Sequence, residues 1–122
     1  MPARIVDASV LAAVVFNEPR FAEAVSLLEG AELHAPTLLA YELTSVARKK
    51  VLLYPQLARE IGSGLADALR AEINWNEVDH RRVMDLALAT GLTTYDASYL
   101  YLALSMNASI ATFDEALRSA AV

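Results

Sequence analysis

The sequence predicts an α/β fold, in which helices cover both faces of a parallel β-sheet. Short apolar segments, each too short for a helix, alternate along the chain with longer segments of helical pattern. Strands that alternate with helices in this way form parallel sheets covered on both faces. The chain has 122 residues, which fits one domain, so we expect residues 1–122 to form a single unit.

A strand and two helices are predicted first. Residues 3–7, ARIVD, are apolar and bounded and are predicted as a short buried strand. Residues 9–16 are predicted as a helix, which the following Asn-Glu-Pro sequence ends. A second helix, residues 20–29, is expected to stop at Gly30.

The middle of the chain continues the alternation. Residues 33–35 are predicted as a short strand. Pro36 suits the first turn of the next helix, which is expected to run to about Lys50. Pro55 opens another helical stretch, which two internal glycines weaken.

The third strand and two further helices follow. Residues 73–78 are the candidate strand, and Asp79 is a good N-cap for a helix that ends near Gly91. Residues 96–107 have helical character and are apolar nearly all round, which predicts a buried helix.

A last strand and a last helix are predicted at the end of the chain. Residues 109–112 form the short strand. Thr112 and Glu115 have the spacing of a capping box, which predicts a final helix. If Thr112 caps that helix, Asp114 is free for another role.

Charge and apolar content narrow the possible functions. The net charge of −5, taken alone, argues against nucleic-acid binding, which usually shows a basic footprint. Arg48, Lys49 and Lys50 nevertheless form a local basic cluster, whose other interpretation is a solvated helix end. Apolar residues make up 56% of the chain, which is high for one domain and suggests apolar surface for a partner.

Composition also bears on location. No cysteine is present, so the chain has no disulfide and no thiolate metal site, which fits a reducing cytoplasm. No apolar run approaches the roughly 18 residues of a membrane span. Arg4 and the apolar stretch after it superficially mimic a signal peptide, but the charge of Asp7 inside that stretch argues against export. We therefore expect a cytoplasmic protein.

Four acidic residues stand in apolar surroundings. They are Asp7 in RIVDASV, Glu42 in LLAYELTSV, Asp96 in TTYDASYL and Asp114 in IATFDEAL. Burying a carboxylate is unfavourable unless it is paired or binds a metal. Each acid also has an ordinary explanation. Asp7, Asp96 and Asp114 are placed to cap helices, although Ser9 serves equally well beside Asp7. Glu42 alone would be taken for a glutamate at the edge of an apolar helix face.

Taken together, the four acids point to a metal site. Ligands bind beyond the carboxyl ends of parallel strands, where Asp7 and Asp114 are expected. Converging carboxylates repel one another and raise each other's pKa, and a hard divalent cation such as Mg²⁺ or Mn²⁺ relieves this repulsion. The only histidines are His34 and His80, which argues against zinc.

The order and spacing of these motifs resemble the PIN-domain nucleases, specifically the VapC-type toxins of prokaryotic toxin–antitoxin pairs. The matching segments are VDASVL, the in-helix glutamate of APTLLAYELTSVARKK, TYDASYLYLA and ATFDEAL. The resemblance covers essentially the whole chain. It implies a three-layer α/β/α fold with a parallel sheet of four to five short strands.

The resemblance also implies a site and an activity. Asp7, Glu42, Asp96 and Asp114 correspond to the family's four catalytic acids, with Asp7 and Asp96 as principal ligands of Mg²⁺ or Mn²⁺. Ser9 and Thr112 match hydroxyl positions that support the acids. The implied reaction is hydrolysis of RNA phosphodiester bonds that leaves a 5′-phosphate and a 3′-hydroxyl. The implied partners are a small VapB-type antitoxin and a second copy of the chain. We expect Arg48, Lys49 and Lys50 to attract the RNA.

Three other classes are less consistent with the sequence. A response-regulator receiver needs an acidic pair after the first strand and a lysine after the last, but this chain has only Asp7 and no lysine after Lys50. A haloacid-dehalogenase-like phosphatase needs Asp-x-Asp where this chain has Asp7-Ala8-Ser9. The stronger alternative is a noncatalytic interaction module on the same scaffold, and the four intact acids argue against it.

Overall fold

A four-stranded parallel sheet lies at the centre of the computed structural model, which describes residues 1–121. The strands are β1 (Ala3–Val6), β2 (Glu32–Pro36), β3 (Ile73–Asn76) and β4 (Ser109–Ala111). Their order across the sheet is β3-β2-β1-β4. Ile5 of β1 stands opposite His34 of β2 and Ile110 of β4. The four predicted strands are confirmed, with bounds that differ by one or two residues.

Helices connect the strands and flank the sheet on both sides. They are α1 (Ala8–Val15), α2 (Phe21–Leu28), α3 (Leu38–Leu53), α4 (Ala58–Arg70), α5 (His80–Thr90), α6 (Thr94–Met106) and α7 (Glu115–Ala120), with a 3₁₀ turn at Pro55–Leu57. Asp79 caps the start of α5, as predicted. Gly91 ends α5 with φ of 77°, a left-handed conformation that favours glycine. The predicted three-layer α/β/α architecture is confirmed.

The prediction for Pro36 is wrong. Pro36 is the last residue of β2, and α3 begins at Leu38. The backbone N–H of Thr37 donates to the carbonyl of Asn76 at 3.2 Å, which continues the pairing between β2 and β3 beyond the proline. Pro36 is therefore part of the sheet, although the preference of proline for the first turn of a helix predicts it in α3.

The predicted capping box of the last helix is also wrong. Asp114 is the N-cap of α7, and its Oδ1 accepts a hydrogen bond from the backbone N–H of Leu117 at 2.8 Å. Thr112 lies two residues before this cap, and Glu115 is the first residue of the helix. The reason is tertiary, because the hydroxyl of Thr112 is already engaged with the distant Asp7.

The capping alternatives at the two other aspartates are resolved in opposite ways. Asp7 is the N-cap of α1, and Ser9 lies inside that helix. Asp96 is not a cap, because Thr93 precedes α6 and its hydroxyl accepts from the N–H of Asp96 at 3.1 Å. Asp96 therefore lies in the first turn of α6 with its carboxylate left for other contacts.

The core lies between the sheet and its helices. Ile5 and Val6 of β1 are fully buried, as are Leu39 and Leu43 of α3. The long helix α6 packs on β1 and β2 and is buried over much of its surface, which confirms the prediction of a buried helix. Within residues 1–121, no helix combines the length and apolar character needed to cross a bilayer.

Candidate active site

The order in which the chain adds strands to the sheet reverses once, although all the strands run parallel. From β1 the chain adds β2 and then β3 on one side, and it returns to add β4 on the other side of β1. The reversal point therefore lies between β1 and β4, where parallel α/β sheets leave a crevice outside the carboxyl ends of the strands. Asp7 follows β1 directly, and Thr112 and Asp114 follow β4. Two of the four acids thus flank the position where this architecture binds ligands.

The carboxylate of Asp7 accepts more hydrogen bonds than that of any other of these acids. Asp7 is only 6% exposed. Its Oδ1 accepts from the hydroxyl of Ser9 at 2.6 Å and from the backbone N–H of Val10 at 3.2 Å, and its Oδ2 accepts from the hydroxyl of Thr112. A carboxylate has about four acceptor positions, so three bonds leave capacity for one more partner. The aspartate is fixed in orientation and is not saturated.

Ser9 and Thr112 join Asp7 to the segment after β4. The hydroxyl of Ser9, which donates to Asp7, accepts from the N–H of Phe113 at 2.9 Å. The hydroxyl of Thr112 accepts from the N–H of Asp114 at 2.9 Å. Each hydroxyl thus connects Asp7 to one backbone N–H of the neighbouring loop, and the two connections hold Asp7 and Asp114 at the same edge of the sheet.

Glu42 is held by a tyrosine of another helix. It lies in the second turn of α3 and is half-buried, and its Oε1 accepts from the hydroxyl of Tyr99 at 2.5 Å. Burial raises the pKa of Glu42, the Tyr99 hydrogen bond lowers it, and the charges of Asp7 and Asp96 raise it. Burial and Glu42 in turn raise the pKa of Tyr99, which keeps the phenol protonated.

Asp96 completes the group. Partial burial raises its pKa, and the charges of Asp114 and Asp7 raise it further. Its place in the first turn of α6 would by itself favour the carboxylate by roughly 0.3–1 kcal/mol through the helix dipole. Burial and the neighbouring carboxylates act in the opposite direction to the dipole. These mutual effects on pKa link all four acids as electrostatic neighbours.

The donor chemistry of this group fits a hard divalent cation. Among residues 1–121, no lysine, arginine or histidine forms an ion pair with any of the four acids. Carboxylate oxygens are ligands that suit Mg²⁺ and Mn²⁺. In the same described range, however, no three His, Cys, Asp or Glu side chains stand close enough together to hold a metal ion. The four carboxylates share an edge and do not form a preformed coordination shell.

The three basic residues of α3 are not equivalent. Arg48 and Lys49 are exposed. Lys50 pairs with Glu18 at 2.6 Å and lies 5.8 Å from the ring centre of Phe16. Lys49 lies seven residues after Glu42, about 10 Å along the same side of the helix. The structure thus separates Lys50, which has an acidic partner, from its two neighbours.

Sequence reasoning missed Tyr99. It lies three residues after Asp96 and is 57 residues from Glu42, so no local pattern links it to that acid. Tyr99 is 1% exposed. A tyrosine that is buried usually needs a hydrogen-bond partner for its hydroxyl. The only sequence signal was therefore a tyrosine in a helix predicted to be buried.

Replacing Tyr99 with phenylalanine tests this contact. We expect Tyr99→Phe to raise the pKa of Glu42, because the lost hydrogen bond stabilises the charged carboxylate. The free energy of unfolding should fall by about 0.5–1.5 kcal/mol. NMR titration of the Glu42 carboxyl carbon in metal-free protein measures the midpoint, and Tyr101→Phe on the same helix is the control. Equal midpoints in the two variants would show that Tyr99 does not act on Glu42.

Comparisons with known proteins agree with this architecture. A family model described as PIN domain matches residues 4–122. A VapC ribonuclease of Mycobacterium bovis is 31% identical over 117 residues, which cover 90% of this chain and 84% of the relative. Ribonuclease VapC9 of Mycobacterium tuberculosis matches with the same identity and coverage. The crystal structure of PAE2754 from Pyrobaculum aerophilum has a TM-score of 0.77 at 26% identity, covering 95% of this chain and 82% of that one.

Proposed function

Because this chain belongs to the PIN-domain family and is of the VapC type, we propose that it is a metal-dependent endoribonuclease, the toxin of a type II toxin–antitoxin pair. The observation that carries the proposal is a group of four carboxylates that influence one another's charge and, among residues 1–121, have no cationic partner. Two of them, Asp7 and Asp114, flank the reversal point of the sheet. We further propose that residues 1–122 act as one nuclease domain in the cytoplasm.

Asp7, Glu42, Asp96 and Asp114 are the residues that would hold Mg²⁺ or Mn²⁺. When bound, the cation supplies Lewis acidity, which lowers the pKa of water and offsets negative charge on the scissile phosphate. Asp7 is the fixed member of the set, because Ser9, Val10 and Thr112 hold its orientation. A carboxylate with a fixed orientation would hold the cation at a defined position.

Glu42 is our candidate for the proton acceptor. The oxygen of water bonds to phosphorus, and the bond from phosphorus to the 3′-oxygen breaks. One water proton passes to a carboxylate, and the leaving 3′-oxygen takes a proton from solvent. The raised pKa of Glu42 makes its carboxylate a stronger base than an ordinary glutamate. Tyr99 occupies Oε1, which leaves Oε2 for the proton.

Attraction of RNA to an acidic protein requires local cations. Arg48 and Lys49 are exposed on the helix that carries Glu42, which supports a role for them in drawing in phosphates. Lys50 contributes less in this proposal, because Glu18 already pairs with it. Binding to RNA should therefore be weak and sensitive to salt.

A second copy and an antitoxin are the proposed protein partners. Leu52, Leu53 and Leu57 are exposed near the end of α3, and apolar surface of this kind is typical of protein interfaces. An antitoxin can inhibit by placing a basic side chain among the unpaired acids, since such charge-assisted bonds are strong. Light scattering that shows a monomer at micromolar concentration, with no partner copurified from the native operon, would contradict this proposal.

Metal binding is tested by thermal unfolding. We expect Mn²⁺ at a hundredfold excess over its Kd to raise the free energy of unfolding by about 2.7 kcal/mol. The melt is repeated with a chelator, with Ca²⁺ in place of Mn²⁺, and beside an RNase assay. Chelator should reverse both the stabilisation and the cleavage. An identical melt with and without Mn²⁺, in a protein that cleaves no RNA, would favour the noncatalytic interaction module.

A further inference from the structure

A second feature lies at the same edge of the sheet as the four acids. It is a cavity of about 330 Å³ beside the first turn of α6. Its polar lining comes from Thr37, His80, Thr94, Tyr95 and Ser98, and proline, valine and leucine side chains supply the rest. None of the four acids lines it. The cavity is therefore distinct from the candidate metal site.

The cavity and the acids are nevertheless immediate neighbours. Thr94 and Tyr95 precede Asp96 directly, and Ser98 lies two residues after it on the same helix. The cavity is formed where β2 and β3 end and where α3, α5 and α6 begin, whereas Asp7 and Asp114 follow β1 and β4. Since the strand order is β3-β2-β1-β4, the two features lie side by side along one edge.

The chemistry of the cavity differs from that of the acids. No Asp, Glu, Lys or Arg lines it. Val83 of the small apolar cluster between α5 and α6 lies against it, and the residue Tyr95 is 61% exposed. Ser98 is buried, at 8% exposed, although its side chain is polar. A neutral, flat group with an apolar face and polar edges fits this lining, and a phosphate does not.

We infer that the cavity binds one base of the RNA strand next to the scissile phosphate. This inference rests on the proposed ribonuclease function. Proteins recognise single-stranded RNA by stacking splayed-out bases on aromatic rings and hydrogen-bonding their edges. Tyr95 provides the ring, while the hydroxyls of Thr37 and Thr94 and the imidazole of His80 are available for the base edge. The volume lies at the lower end of the roughly 300–1,000 Å³ of small-molecule sites, which suits a single base.

The position beside Asp96 gives the cavity a role in choosing the cleavage site. A base held there places its own phosphate against the acidic edge, so the enzyme should discriminate among bases at one position adjacent to the cut. The base is itself uncharged, so holding it beside the four carboxylates adds no charge repulsion.

Cleavage kinetics test the inference first. Tyr95→Ala should raise KM for a short single-stranded RNA by about five- to a hundredfold, the range expected for one stacked base, with kcat changed by less than about twofold. Tyr95→Phe keeps the ring and should retain near-wild-type KM. The matched control is Tyr54→Ala, which removes a half-exposed tyrosine from another cavity. RNA that is abasic at the contacted position should be cleaved equally by wild type and Tyr95→Ala.

Nucleoside titration supplies a readout that does not depend on cleavage. The four uncharged ribonucleosides are added to the full-length protein, and NMR shifts are followed at Tyr95, His80 and Thr94. We expect shifts at these residues in wild type and their loss in Tyr95→Ala. If wild type cleaves RNA but Tyr95→Ala keeps its KM and no nucleoside shifts the cavity, the base-binding inference is overturned and the ribonuclease function stands. If wild type cleaves no RNA, the proposed function fails, and the inference that rests on it fails with it even where nucleosides bind.

Discussion

Asp96→Asn is expected to reduce RNA cleavage by more than about a hundredfold while leaving the metal-free fold at least as stable as wild type. Loss of a residue that merely supports a metal ligand typically reduces activity ten- to a hundredfold, so loss of a proposed ligand should have a larger effect. Asparagine preserves the shape of the side chain and removes only its charge. RNase assays in Mn²⁺ and thermal melts in chelator measure the two effects separately.

The expected stability follows from the pKa of Asp96. Burial and the neighbouring acids raise it in the folded protein, so the folded state binds more protons than the unfolded state just above the ordinary aspartate pKa. Folding stability therefore falls as pH rises through this window. Asp96→Asn removes this pH-dependent loss of stability, so it should stabilise the protein relative to wild type near pH 7. It should not do so near pH 3, where the Asp96 carboxyl is protonated in the folded and the unfolded state.

Asp85→Asn is the matched control for this variant. Asp85 is an exposed aspartate of α5, so its substitution makes the same chemical change on a neighbouring helix without touching the acidic edge. It should leave cleavage and the Mn²⁺-induced stabilisation unchanged. Wild-type cleavage by Asp96→Asn would refute the metal-nuclease proposal.

Asp7→Asn is expected to lose cleavage to a similar extent but also to destabilise the fold. The carboxylate of Asp7 accepts three hydrogen bonds while almost fully buried. An asparagine amide can replace one of the two oxygens, but its NH₂ group cannot accept from the partner of the other. One buried donor, the hydroxyl of Ser9 or Thr112, then loses its acceptor, which should lower the free energy of unfolding by about 1–3 kcal/mol.

Thr112→Val separates the structural role of Asp7 from its proposed metal role. This nearly isosteric change removes the hydroxyl that joins Asp7 to the N–H of Asp114. Stability should fall by a similar amount, while all four carboxylates remain and cleavage should persist at a reduced level. The double variant Asp7→Asn/Thr112→Val should be less destabilised than the sum of the single variants, because they share one contact. Additive losses would show that the two side chains are not coupled, and an Asp7→Asn protein as stable as wild type would contradict the hydrogen-bond network.

The contrast between these two aspartates was not available from the sequence. Both stand beside a predicted helix start in an apolar segment, and for both the sequence offered a capping role as well as a role as ligand. In the structure Asp7 is a cap that the hydroxyls of nearby Ser9 and distant Thr112 hold. Asp96 caps no helix, and its backbone N–H donates to the hydroxyl of Thr93. A pair of substitutions that looks equivalent in the sequence therefore has different expected effects on stability.

The sequence by itself determined the strands, most helices and the common edge of Asp7 and Asp114. Hydrophobic length and turn residues are local, and parallel strands necessarily share one carboxyl edge, so neither requires knowledge of tertiary contacts. Only the tertiary structure decided the strand order, the choice of caps and the partner of Glu42. Thr112 and Asp114 are both suitable caps by spacing. The choice between them depends on a contact between Thr112 and Asp7, which are 105 residues apart, and no local pattern records such a contact.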